Sequence, residues 1–302
     1  MNETNEIVES TVVAITNEAI DNNQNTIPSW QTTQIVQPTA CECVFIWTIG
    51  RSGSTLIGKL LNSHPDVQYY NEPLHRFYRK VLRIHIQLYG TENREEVLLP
   101  AISKINSIFN QSFNPCKHII IKELHPRLPG GLTHFSPNLK DTIKFIHLIR
   151  DPRAALNSML NLRWFKSTDL PVVATKLCQA TLRDFKFGLT YMNQSIYYMI
   201  KYEELCTNLS QNVMALLNFT QLKKSSQVND YIMKIQQAKN ETNNPYDTQK
   251  NLKLQIFNWR KSINMSVVNT IESHCLEMIN TLGYKLVNGN IEILRNLSIP
   301  LH

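Results

Sequence analysis

Cys43–Leu61, CVFIWTIGRSGSTLIGKLL, decides how this chain is read. Cys43–Ile49 is a short apolar run rich in β-branched and aromatic residues, the pattern of a strand buried on both faces. Gly50-Arg51-Ser52-Gly53-Ser54 interrupts it, and Thr55–Leu61 resumes at helical spacing until Asn62-Ser63-His64-Pro65. Strand, glycine-bearing turn and helix together open an α/β unit that cradles an anion. The glycines let successive N–H groups approach it, and the helix N-terminus adds partial positive charge. Arg51 and the hydroxyls of Ser52, Ser54 and Thr55 supply further donors.

Outward from this unit, His118–Leu124, Thr142–Ile149 and Ile196–Tyr202 read as further buried strands. Helical stretches fall over Phe77–Leu88, Arg94–Phe109, Arg153–Asn161, Thr175–Tyr191, Leu209–Leu217 and Val267–Leu282, the last closed by Gly283. Buried strands alternating with helices predict a P-loop-NTPase-like three-layer α/β fold with a mainly parallel sheet. The domain is expected over residues 43–290, after a polar stem at 1–42 and before a tail at 291–302.

A Walker A loop competes for the first cradle. Gly53–Leu60 departs from its pattern at Leu60, where a Mg²⁺-binding hydroxyl belongs, which weakens a kinase or NTPase reading. The second cradle is Phe145–Ser158, FIHLIRDPRAALNS. Arg150 ends a strand and Ser158 follows one to two helical turns later, so both reach the sheet's carboxyl edge. A guanidinium and a hydroxyl there suit a terminal phosphate.

The two signatures, GRSGSTLIGKLLNSHPDVQYYNEPLH and LIRDPRAALNS, resemble the 5′-phosphosulfate and 3′-phosphate loops of sulfotransferases. Those enzymes use 3′-phosphoadenosine 5′-phosphosulfate (PAPS), and the wording is nearest that of the Golgi carbohydrate 6-O-sulfotransferases acting on Gal, GalNAc or GlcNAc. Lys201–Leu205, Trp259-Arg260, His274–Met278 and Leu282–Tyr284 continue the resemblance in order. It implies that Arg51 faces the transferring sulfuryl group and that Ser52, Gly53, Ser54 and Thr55 hold the 5′-phosphosulfate. Arg150 and Ser158 would hold the 3′-phosphate, Tyr202 would lie by the adenine, and Trp259 and Arg260 near the cofactor's far side. Glu72 resembles the position of a catalytic base, with His75 and His125 as alternatives. Lys122 matches a cation over the transferring group. No metal is required, because arginines and backbone amides neutralise the charge.

Composition narrows the remaining classes. Hydrophobic residues are 42% of the chain, enough for a full core. The first 50 residues carry six acids and no Lys or Arg, so the rest is strongly basic under a net charge of +7. That balance favours anionic partners. The basic residues are dispersed and no nucleic-acid motif accompanies them, which disfavours nucleic acid; the resemblance implies a glycan or proteoglycan acceptor. A non-catalytic relative keeping only the loops is the other alternative, disfavoured by Glu72 and Lys122.

No apolar run approaches the roughly 20 residues of a membrane-spanning helix. The family's anchor is therefore expected to lie outside this sequence, or the enzyme to be cytoplasmic. Eight Asn-x-Ser/Thr sequons and six cysteines lean towards a luminal setting, which the resemblance implies is the Golgi. Buried free thiols are expected ahead of disulfides, and a zinc site last.

Overall fold

The computed structural model describes residues 42–75, 103–108, 118–124, 143–238, 247–248 and 251–302. The expected helix Phe77–Leu88, most of Arg94–Phe109, His125 and nearly all of the expected stem fall outside them. Residues 103–108 are helical.

Five strands form one sheet: β1 (Cys43–Thr48), β2 (Val67–Asn71), β3 (His118–Glu123), β4 (Ile143–Ile149) and β5 (Tyr197–Lys201). Their order is β2-β3-β1-β4-β5, and every pairing is parallel. Parallel strands need covered faces, and the sequence provides for both. Val44 and Ile46 pack with Ile120, Ile146 and the apolar face of α1 (Ser54–Asn62). Phe45 and Trp47 face the other way, among Ile121 and Phe145. Each such fully buried side chain contributes about 1.5–3 kcal/mol.

β2 was not anticipated. VQYYN holds one aliphatic residue, and as an edge strand it buries only Val67, so no apolar run marks it. The helices after β4 are α2 (Pro152–Asn161) and α3 (Leu170–Tyr191), with a 3₁₀ turn at Ser167–Asp169 between them. α3 begins five residues earlier than its periodicity indicated. After β5 come α4 (Tyr202–Thr207), α5 (Leu209–Phe219), α6 (Ser226–Gln236) and α7 (Leu252–Ser262).

The expected helix Val267–Leu282 is two: α8 (Met265–His274) and α9 (Leu276–Thr281). The break falls on Cys275 (φ −116°, ψ 13°), whose sulfur is bonded to Cys178 of α3. That pairing corrects the expectation of free thiols, which holds for buried Cys206. Gly283 does close α9: at φ 70° it carries the reverse turn in which Tyr284 N–H donates to Ile279 O and Gly283 N–H to Asn280 O.

Residues 291–302 do not trail away as a tail. They contain α10 (Ile291–Arg295) and bury Leu294 and Leu301 against Trp259 and Val268.

Candidate functional site

Because every strand runs the same way, the turns after them gather at one edge. The Gly50–Gly53 turn follows β1, Glu72 follows β2, Leu124 follows β3, Arg150 follows β4 and Tyr202 follows β5. β1 lies between β3 and β4, and the chain crosses it to pass from β3 to β4. A crevice opens at such a crossing point outside the carboxyl ends of the strands.

The first cradle turns on two left-handed residues, Arg51 (φ 61°) and Gly53 (φ 97°). Gly53 is the N-cap of α1 and supplies no side chain to the first-turn N–H groups; Leu56 N–H donates to Gly53 O (2.9 Å), and the N–H groups before it face an anion approaching the helix start. Ser52 and Ser54 are buried beside the turn. Thr48 donates to Leu148 O (2.8 Å) and pairs with the Ser52 hydroxyl, tying the turn to β4. Thr55 is half-buried on the first turn of α1.

The second cradle joins the first. Arg51 Nε donates to Ser158 Oγ at 3.0 Å, and Arg150 donates from one terminal nitrogen to Arg51 O at 2.8 Å. The Arg150 guanidinium lies 4.4 Å above the Tyr202 ring. Tyr202 also meets Gly53 so closely that a Cβ there would lie 2.3 Å from the ring. Among the described residues, Arg150 Nε is buried without a partner. An unsatisfied guanidinium N–H is costly until an acceptor completes it, and an anion held by the adjoining cradle would do so. The donor set therefore fits a phosphorylated nucleotide.

α2 presents Arg150 in register. Asp151 caps it by accepting Arg153 N–H (2.9 Å), with Pro152 at the first helical position. Beneath it lies a buried ion network that the sequence did not disclose. Arg153 Nε and one terminal nitrogen clasp both Asp151 oxygens (3.0 and 2.7 Å), and the other reaches Glu272 (2.7 Å) and Lys285 O (2.8 Å). The two carboxylates hold the guanidinium's pKa above its ordinary value against the effect of burial.

Across the crevice, Lys122 continues the β3 face of Ile120 and aligns with Ile46 on β1. It is buried and ion-paired to Glu72 Oε1, and His75 Nδ1 lies 3.5 Å from Glu72 Oε2. Glu72 itself is left-handed (φ 48°), fixed by Glu72 N–H to Lys122 O (2.7 Å). Sequence reasoning missed Glu123 behind this pair. Its buried carboxylate accepts Leu74 N–H (2.8 Å) and Leu124 N–H (3.1 Å), and burial pushes its pKa up to about 8. An acid ending an apolar strand, IIIKE, was the available signal.

Trp259 and Arg260 do not join the cradles. The buried Arg260 guanidinium donates to the carbonyls of Ile293, Leu294, Asn296 and Ile299, so its donors are committed to the carboxyl-terminal segment. Trp259 lies under Arg153, 5.3 Å from its guanidinium. The Walker-type reading fails similarly: Lys59 is exposed and Leu60 is buried in the core. Among the described residues, no three His, Cys, Asp or Glu side chains gather as a metal set.

Paired anion cradles bridged by an aromatic platform, on the carboxyl edge of a parallel sheet, define an enzyme that moves a charged group from a nucleotide. The chain belongs to the sulfotransferase domain family, whose pattern residues 42–283 match. It is 23% identical over 342 residues to carbohydrate sulfotransferase 1 of Danio rerio, covering 85% of this chain and 81% of that one. It is 24% identical over 201 residues to carbohydrate sulfotransferase 3 of Mus musculus, covering 61% of this chain and 42% of the relative. Among solved structures, the sulfotransferase domain of the Synechococcus PCC 7002 olefin synthase shares the fold. The TM-score is 0.54 at 18% identity, over 84% of this chain and 100% of that one. The family expected from the two signatures is thus borne out.

Proposed function

We propose that this protein is a carbohydrate sulfotransferase, transferring the sulfuryl group of PAPS to a sugar hydroxyl of a glycan or proteoglycan, at the 6-O position of Gal, GalNAc or GlcNAc. The observation that carries the reading is Arg150, stacked on Tyr202, bound to the Arg51 carbonyl and left with a buried N–H that no described residue satisfies. The carbohydrate acceptor rests on the relatives' names and on the basic body of the chain.

PAPS would supply an activated sulfuryl group on a phosphate leaving group. Arg150 and Ser158 would hold the 3′-phosphate. Arg51, Ser52, Ser54, Thr55 and the Gly53 turn would hold the phosphosulfate end. Transfer of this kind depends on positioning and charge stabilisation. Glu72 is the base that removes the acceptor's proton, with His75 beside it as the alternative. Lys122 serves two ends. It holds the Glu72 carboxylate in place, and it brings positive charge to the crevice between β3 and β1. The disulfide Cys178–Cys275 and the exposure of Asn193, Asn208, Asn218, Asn264 and Asn296 support an oxidising, Golgi-type lumen.

Calorimetric titration with adenosine 3′,5′-bisphosphate, beside labelled-sulfate incorporation from PAPS into desulfated glycosaminoglycans and mucin-type sugars, tests the proposal. Wild-type protein binds the nucleotide and labels one acceptor class; Arg51→Ala and Arg150→Ala abolish turnover. Binding without labelling of any acceptor would favour a non-catalytic relative.

A further inference from the structure

Glu203 belongs to the segment Lys201–Leu205, and nothing in the transfer scheme uses it. Its carboxyl is 3% exposed and fully occupied: Oε1 accepts the backbone N–H of Asp151 at 3.1 Å, and Oε2 accepts the Tyr284 hydroxyl at 3.1 Å. Asp151 directly follows Arg150, and Tyr202, the platform under the Arg150 guanidinium, directly precedes Glu203. One carboxyl thus fastens both halves of the anion-facing pair from behind.

Its charge matters as much as its bonds. Burial, and after it the charge of Asp151, push its pKa up to about 7 against the pull of Arg150. An anion arriving on Arg150 cancels that pull and adds repulsion of its own, and both effects favour the neutral carboxyl. We propose that Glu203 is a positioning residue for the phosphate held by Arg150, and that nucleotide binding takes up a proton through it. The inference rests on the nucleotide reading above. The proton comes from solvent and settles on Oε2; the Tyr284 hydroxyl turns from donor to acceptor, and Oε1 keeps the Asp151 N–H.

The neighbouring charges do not compete for this role. Asp151 and Glu272 share the Arg153 guanidinium. On Glu203's own helix, exposed Glu204 lies 3.7 Å from Lys201, and the buried Cys206 thiol is pushed up to about 12 and stays neutral. Lys201 of β5 sits 5.3 Å over the Tyr284 ring, and burial raises the Tyr202 and Tyr284 phenols further from titration. Arg260 of α7 is fixed on carbonyls. Burial holds His302 below the usual histidine range, hence neutral above pH 7.

Titration calorimetry of adenosine 3′,5′-bisphosphate into the full chain, at pH 7.5 and 8.5 in two buffers of different ionisation enthalpy, reads the proton count directly. Wild-type protein takes up a substantial fraction of a proton, and its Kd weakens with pH by at most about tenfold per unit. Glu203→Gln, which keeps an acceptor for Asp151 N–H, removes the uptake and flattens that slope. Tyr284→Phe, lacking the donor that favours the charged form, reduces uptake at pH 7.5. A purely structural Glu203 would instead lower affinity equally at both pH values. Binding without proton uptake in wild type, or equal uptake in Glu203→Gln, overturns the coupling while sparing the nucleotide reading. Absence of any binding overturns both.

Discussion

Gly53 turns the chain at φ 97° while its Cα lies against Tyr202, where an added Cβ would stand 2.3 Å from the ring. Left-handed backbone costs a side-chain-bearing residue about 1–2 kcal/mol, and here the clash displaces the platform under Arg150 as well. Gly53→Ala is therefore expected to lower affinity for adenosine 3′,5′-bisphosphate by tenfold or more while shifting thermal stability only modestly; titration and a melting curve read the two effects separately. Glu72 makes a different kind of demand. It stands at φ 48° without being glycine, held by Lys122 through both backbone and side chain. A strained residue so anchored is placed for its side chain. Glu72→Gln should cut sulfate transfer about 10²–10⁴-fold, the range of a lost general base, with nucleotide affinity retained. Near-normal transfer by this variant would reassign the base to His75.

At the scale of elements, the legible parts were those whose local chemistry and tertiary role agree. Asp151-Pro152 reads as a helix start because capping and fixed φ are local properties, and α2 begins there. Strands β1, β3 and β4 were readable because burial on both faces leaves continuous apolar runs, and β5, though an edge strand, because its residues are largely aromatic and apolar. β2 was not, since an edge strand needs only one apolar residue inward. Gly283 was legible as a cap; the break at Cys275 was not, because its sulfur partner lies 97 residues away. The two cradles were readable as motifs. Their junction through Arg51–Ser158 and Gly53–Tyr202 depends on tertiary placement, as does the diversion of Arg260 to carbonyls. Arg153 illustrates the limit. It looked like an ordinary residue of the first helical turn, yet it is fully buried between Asp151 and Glu272. Removing one partner of a buried ion cluster typically costs about 3–5 kcal/mol because the remaining charges are left unpaired. Arg153→Met should lose stability of that order in a denaturant titration, and should weaken nucleotide binding by loosening the helix that presents Arg150. Loss below 1 kcal/mol would show that water replaces the guanidinium.

Over the whole molecule, two features tie stability to surroundings. The disulfide joins α3 to the α8–α9 junction across 97 residues, and closing a loop near 100 residues contributes roughly 4.7 kcal/mol by the chain-entropy model. Reduction, or Cys178→Ser with Cys275→Ser, should lower Tm by about 10–20 °C in scanning calorimetry, making folding dependent on an oxidising compartment. The second feature is a pair of buried carboxyls at the carboxyl edge of the sheet. Burial raises Glu123 from 4.5 to about 8 and Glu203 from 4.5 to about 7. Between pH 4.5 and those values the folded protein keeps protons that the unfolded chain has released. The native state therefore binds more protons, and stability falls as pH rises through that window. The stabilisation is fully present below pH 4.5 and is lost above pH 8, an effect on the order of a few kcal/mol. Denaturant midpoints measured at pH 6 and pH 8.5 should differ in favour of pH 6. The difference should shrink in Glu123→Gln, whose amide needs no proton to remain neutral. Equal midpoints at pH 8.5 and pH 6 would mean that both carboxyls ionise freely in the folded protein.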